Sequence, residues 1–377
     1  MKDPYLITQA EAIEFAEAMV ANRTGSVAAR GDLSVEAHSY LDANQSPTAH
    51  LINLSDGGFD GWVMIAGDRR VMPLLAYGFE GARAIDAVDL PGLNERYGLA
   101  VTNVEEVRYG ATSNITSVYD LDRMASSICL GPRGDCPSGG GGGGGGSNDC
   151  TSFDRTDGPL LTTTWGQDCP YNVALDRRGC DDNCNNGRPV AGCVAVAMAQ
   201  VMRFHQWPNN FDYGRMFDAY TVGARDFQRA SELDNVGPLI ETCGDRVNMV
   251  YACDWAAAHP SFIDDAFRLS GYTRDGSRVN WSPSKVRADI QAGRPVIIEG
   301  RRTAVNNWHV WVADGYRHLR LSSNCGTTYG WQHMNWGWDG RGNGWYATDV
   351  WQPRDARGRP IGENFAEHNK IVTGIRP

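Results

Sequence analysis

A cysteine preceded by a glycine stands at the head of the apolar run Gly192 to Phe204. If that run is a helix, the positive end of its macrodipole favours the thiolate and makes the sulfur a nucleophile near neutral pH. Gly192 carries no side chain, so a substrate carbonyl can come close. A lone cysteine in an apolar helix is more often plain filling, so Cys193 requires partners. His309, between Trp308 and Val310 in an apolar strand, supplies a base. Burial alone depresses an imidazole's basicity, whereas a neighbouring thiolate favours imidazolium, and a Cys/His pair needs the second effect to win. Asn335 lies in the run His333-Met334-Asn335-Trp336-Gly337-Trp338. Its amide is expected to accept the imidazole N–H and fix the tautomer, with the tryptophans keeping water away. Upstream, Gln167 in Trp165-Gly166-Gln167 offers an amide that donates to an oxyanion beside the backbone N–H of Cys193. Taken singly, each has a plainer account: a core histidine, a strand residue beside a turn, an isolated glutamine.

Several elements must bring these distant residues together. Thr8 followed by Glu11 is a capping-box signature, and Ile13, Ala16, Met19 and Val20 then repeat on one face, which predicts an amphipathic helix from about residue 9 to 22. Short runs rich in β-formers follow at Leu51 to Leu54, Trp62 to Ala66 and Val71 to Tyr77, the last two separated by a Gly67-Asp68 turn. They predict a small antiparallel sheet packed on helices. Between Ser126 and Asp157 the composition changes, with eight consecutive glycines at Gly139 to Gly146. Glycines lose the most backbone freedom on ordering and bury no side chain, so this segment reads as a linker exposed to proteolysis. No Gly-Lys-Ser/Thr follows, which removes the phosphate-loop alternative. Beyond it, helices come first, including the apolar run ended by Pro208 and a helix capped by Ser282 with Pro283 in its first turn. Strands come next, at Pro295 to Glu299, Trp308 to Ala313, Leu319 to Ser322, His333 to Trp338, Trp345 to Thr348 and Lys370 to Ile375, with a turn expected at Asp314-Gly315. A helical half packed on a β half is an α+β arrangement.

The chain has 377 residues, enough for two cores. Its formal net charge of −10 opposes binding to a phosphate backbone, so nucleic acid is not an expected partner. The apolar stretch Val190 to Met202 is too short to span a bilayer and ends at Arg203. Ten cysteines, several closely spaced (Cys129 with Cys136, Cys180 with Cys184, Cys243 with Cys253), suit an oxidising compartment. Cys180 and Cys184 lack a second Cys/His pair at zinc-finger spacing, so disulfide bonding is expected there and no metal. Setting Cys193 aside leaves an odd number, so at least one further thiol is unpaired. Met1-Lys2-Asp3-Pro4 leads directly into a polar helix start, without the look of a secretion signal.

The order Gln, Cys, His, Asn is that of papain-like peptidases. Several further segments occur in matching order: Leu160-Leu161 before Trp165-Gly166-Gln167, Pro170-Tyr171-Asn172, Gly192-Cys193-Val194-Ala195 with Ala199-Gln200-Val201-Met202, His309 to Gly315, Asn335-Trp336-Gly337-Trp338 and the final Val372 to Pro377. Together they resemble the streptopain family of bacterial cysteine peptidases. The N-terminal region, including Ala66 to Pro73, resembles that family's propeptide. The resemblance implies a propeptide over residues 1–125, an activation linker over 126–157 and a two-part papain-like catalytic domain over 158–377. It implies a secreted endopeptidase precursor, held latent by its own propeptide, that activates itself and acts on polypeptides without a cofactor. Cys193 is then the nucleophile, His309 the base, Gln167 the oxyanion donor, and Asn335 with Trp336 the group orienting the imidazole. Gly192, Trp338 and Trp308 are expected to line the substrate cleft. Two other classes use the same residues: an amidase or acyltransferase on the Cys/His pair, or a non-catalytic binding or inhibitor protein of the same fold. Thiol labelling at Cys193 separates the last from an enzyme, and new N-termini from casein separate hydrolysis from acyl transfer.

Overall fold

The computed structural model describes residues 3–24, 33–42, 44–55, 60–71, 73–79, 121, 152–180, 187–220, 224–274, 276–301, 308–320, 328–340, 342–347 and 367–377. Helix α1 spans Gln9–Thr24. It begins at the capping box its sequence announces: Glu11 accepts the Thr8 N–H at 2.8 Å and donates its own N–H to the Thr8 hydroxyl at 3.3 Å. Its buried stripe of Ala12, Phe15, Ala16, Met19 and Val20 packs on Ile52, Leu54, Val63 and Ile65 of an antiparallel sheet. That sheet is built from β1 (Ser34–Leu41), β2 (Pro47–Ser55), β3 (Asp60–Ala66) and β4 (Leu74–Gly78) in sequential order.

The second region opens with β5 (Ser152–Asp157). The helical half contains α2 (Cys193–His205), α3 (Ala224–Gln228), α4 (Val236–Arg246) and α5 (Ile263–Leu269), with a two-stranded hairpin, β6 (Val250–Tyr251) and β7 (Ala256–Ala257). The β half holds β8 (Ser277–Asn280), α6 (Pro283–Gln291), β9 (Val296–Arg301), β10 (Trp308–Arg320), β11 (Thr328–Asn335), β12 (Gly344–Ala347) and β13 (Glu367–Thr373). Ser282 caps α6 by accepting the Lys285 N–H, with Pro283 in the first turn. Helix α2 is buried from Val194 through Met202, because it lies between the other helices on one side and Val310 and Val312 of β10 on the other.

The two regions share one sheet. Strand β4 pairs antiparallel with β12 through Tyr77 opposite Trp345 and Ala76 opposite Tyr346. Among the described residues this joins eleven strands in the order β1-β2-β3-β4-β12-β11-β10-β9-β13-β8, with β5 paired to the far half of β10.

Four expectations change. Residues 152–157 were assigned to the linker, but they are a strand held against β10 from Arg320 to Tyr316, and residues 126–151 lie outside those described. Asp314-Gly315 is not a turn: β10 runs through it with an irregularity in register. The buried Asp314 carboxylate holds this kink by bonding His333 Nδ1 at 2.6 Å and the Leu161 N–H at 3.0 Å. Gly315 is required there, since a methyl would fall 2.7 Å from His333 and 2.8 Å from Trp345. Finally, Cys180 is bonded to Cys253, 73 residues away, not to its near neighbour, and Cys243 is a free buried thiol. Cys169 is also disulfide-bonded.

Candidate active site

Cys193 is the first residue of α2. The helix is entered through Gly192 at φ 86°, ψ 141°, a left-handed value that favours glycine. Space enforces the same choice, because a methyl at Gly192 would lie 2.9–3.0 Å from Met249 and 3.0 Å from Ala256. No side chain caps the first turn. The thiol is half-buried. Burial pushes its pKa above the ordinary range, against the pull of N–H groups from Val310, Val194 and Cys193 itself. N–H groups at the helix start therefore favour the thiolate through Val194 and Cys193, but desolvation exceeds their effect.

Val310 is the residue after His309, so the same contact brings the sulfur to the histidine's strand. His309 is 7% exposed, and its Nε2 lies 3.0 Å from the Trp336 carbonyl oxygen. A carbonyl only accepts, so Nε2 carries the proton and Nδ1 keeps the lone pair of a base. The ring lies in an aromatic stack, 4.6 Å from Trp338, 5.8 Å from Trp311 and 6.0 Å from Trp336, all within 27° of parallel. Trp336 is itself fixed, its indole N–H donating to the Gly342 carbonyl at 3.0 Å and its backbone N–H to Asn343 at 3.0 Å.

Asn335 departs from expectation. Its amide nitrogen donates to the Thr163 carbonyl at 2.6 Å and to Gln200 at 3.0 Å, and its oxygen accepts from Gln200 and from the Gly337 N–H, each at 3.2 Å. These bonds tie the β half to α2 and leave the imidazole to the next residue's carbonyl. Gln167 sits beside the nucleophile's strand of chain, since its carbonyl accepts the Ala191 N–H at 2.8 Å. Trp338 is half-buried over His309. Trp308, at the start of β10, falls by strand alternation on the face opposite His309, so it is not part of that stack. Among the described residues no group of acidic, histidine or cysteine side chains is arranged to hold a metal.

Known proteins bear on this arrangement in two ways. The sequence matches the Peptidase C10 family over residues 165–219 and 209–346, and Spi protease inhibitor over residues 4–95. It is 22% identical to the thiol protease/hemagglutinin PrtT of Porphyromonas gingivalis across 98% of this chain, which spans 42% of that larger protein. It is 20% identical to streptopain of Streptococcus pyogenes over 97% of this chain and 90% of streptopain. The fold is similar to that of prointerpain A from Prevotella intermedia, with a TM-score of 0.58 at 20% identity, covering 91% of this chain and 99% of that one.

Proposed function

We propose that this chain, which matches the Peptidase C10 family over residues 165–346 and an inhibitor family ahead of it over residues 4–95, is the latent precursor of a cysteine endopeptidase, and that Cys193 and His309 perform its chemistry. The single observation that carries this assignment is the meeting of α2 and β10, where the Cys193 sulfur receives the N–H of the residue adjoining His309. In the processed enzyme His309 Nδ1 takes the thiol proton, and the sulfur attacks the substrate carbonyl carbon. The resulting oxyanion is stabilised by the Cys193 N–H and the Gln167 amide. The imidazolium returns its proton to the amine nitrogen as the C–N bond breaks, leaving a thioester. Water, losing a proton to His309, then attacks that carbon, breaks the C–S bond and releases the acid. The Trp336 carbonyl keeps the imidazole in the required tautomer, and Trp338 shields its face.

Residues 1–125 act as the inhibitor, and processing falls in the glycine-rich residues 126–151, ahead of β5. The Cys180–Cys253 disulfide, with Cys169 also bonded, supports work in an oxidising compartment outside the cytoplasm. Among the described residues no helix is long and apolar enough to cross a membrane. Incubating the purified precursor with and without Cys193→Ala tests the proposal. The unmodified chain should shorten within residues 126–151 while the variant stays full length. Identical fragment patterns from both would remove self-processing, and acyl transfer to amines without release of new N-termini from casein would replace hydrolysis.

A further inference from the structure

We infer that Asp339 is a positioning residue for Gln167, an assignment that rests on the peptidase chemistry proposed above. Asp339 adopts φ 53°, a left-handed conformation in which glycine is the less strained residue. The turn is already rich in glycine, with Gly337 at φ 71° and Gly340 at φ 77°. A side chain kept at such a position calls for a use, and the surroundings supply one. A methyl added at Gly166 would lie 2.5 and 2.8 Å from the two Asp339 carboxylate oxygens. The carboxylate therefore rests directly on the Trp165-Gly166-Gln167 turn. On its other side it accepts the hydroxyl of Tyr171, which is 1% exposed and whose oxygen also accepts the Tyr220 N–H at 3.3 Å.

Asp339 thus reaches from the turn that carries Trp338, stacked on His309, to the turn that carries Gln167. It braces the two against each other. Gly166 is explained by the same contact, since any larger residue displaces the carboxylate. The oxyanion donor acts only when aimed at the position that the charged oxygen occupies in the transition state. A brace that fixes the neighbouring residue sets that aim.

The test uses processed enzyme with a fluorogenic peptide amide, and measures Cys193 alkylation by iodoacetamide, a reaction that forms no oxyanion. Full loss of one such donor lowers kcat about 10²–10³-fold, so its misplacement in Asp339→Gly is expected to lower kcat by about tenfold with KM within about twofold. Alkylation should be unchanged, and the thermal midpoint should shift by only a few degrees, about the amount by which relief of the backbone offsets the lost Tyr171 hydrogen bond. Asp339→Asn, whose amide oxygen still accepts the Tyr171 hydroxyl, should keep most of kcat. Asp339→Gly added to Gln167→Ala should cost nothing further. Unaltered kcat in Asp339→Gly, an undiminished loss in the Gln167→Ala background, or alkylation falling in step with kcat would each overturn the inference. An unmodified enzyme that neither cleaves the peptide nor labels at Cys193 would instead overturn the peptidase chemistry, and this role with it.

Discussion

At Cys193 two influences oppose each other. N–H groups from the start of α2 and from Val310 favour thiolate, while burial favours thiol and prevails. Labelling of Cys193 in freshly prepared precursor should therefore be slow at neutral pH and still rising above about pH 9, the ordinary range for a thiol. After processing, pairing with imidazolium should carry the plateau into the acidic-to-neutral range. Rates of iodoacetamide incorporation, followed by mass spectrometry against pH, distinguish the two forms, and one shared profile would contradict the argument. Cys193 and His309 stand out in the sequence because a thiol at a helix start and an imidazole between aromatics are unusual chemical settings. The sequence points to Trp336 together with Asn335 as orienting the imidazole, but not to the Trp336 backbone as the source of the contact. Every residue has a carbonyl, so the role of the Trp336 backbone leaves no signature in side-chain type, whereas the neighbouring Asn335 amide looked suited to the task and is spent on Thr163 and Gln200.

Among the elements, those with strong local signals were legible: α1 from its capping box and apolar spacing, α2 from its unbroken apolar run, α6 from Ser282-Pro283. Strand β1 was not, because it is mostly half-exposed, with the burial pattern of an outer strand, and lacks an apolar run. Strand β5 was missed for a different reason. Ser152 to Asp157 reads as polar linker, and only the partner face of β10, more than 150 residues later, makes it a strand. The disulfides show the same limit, since spacing suggested Cys180 with Cys184, while the fold brings Cys180 to Cys253 at the tip of the β6–β7 hairpin. Met249, just before that hairpin, and Ala256 within it flank Gly192, so the bond secures the segment packed against the residue before Cys193. The cross-link closes a loop of 73 residues, and removing it should cost about 4 kcal/mol by the chain-entropy account. Urea unfolding of Cys180→Ser/Cys253→Ser in the Cys193→Ala background reads this directly. A midpoint equal to that of the parent would show that the bond constrains nothing beyond what packing already holds.

Taken whole, the precursor is a continuous sheet that processing must divide. The propeptide contributes β1 to β4, and its join to the catalytic strands is short, two residue pairs between β4 and β12. Side chains reinforce it. Arg317, 3% exposed, donates to the Tyr77 hydroxyl of the propeptide and, at 2.8 Å, to Thr156 of β5, with its guanidinium 4.4 Å over the Trp345 ring. One cation thereby engages the inhibitor, the start of the catalytic region and its β12 strand. The aromatic stack behind His309 is likewise continuous with the propeptide, because Trp62 packs on Tyr346 and Tyr346 on Trp336. Tyr77→Phe removes only the hydroxyl and keeps the ring. A hydrogen bond to a charged group contributes about 1.5–3 kcal/mol, so the variant should separate its propeptide more readily and process itself roughly 10- to 100-fold faster if separation limits the step. Cleavage within residues 126–151 removes position 77, so the mature product of the variant is chemically the parent's and must match it in kcat and KM. Time courses of processing followed by gel, with kinetics of the matured enzyme as the control, separate a latch between domains from damage to the catalytic fold. Equal processing rates would place the hold of the propeptide in the aromatic packing around Trp62 and not in Arg317.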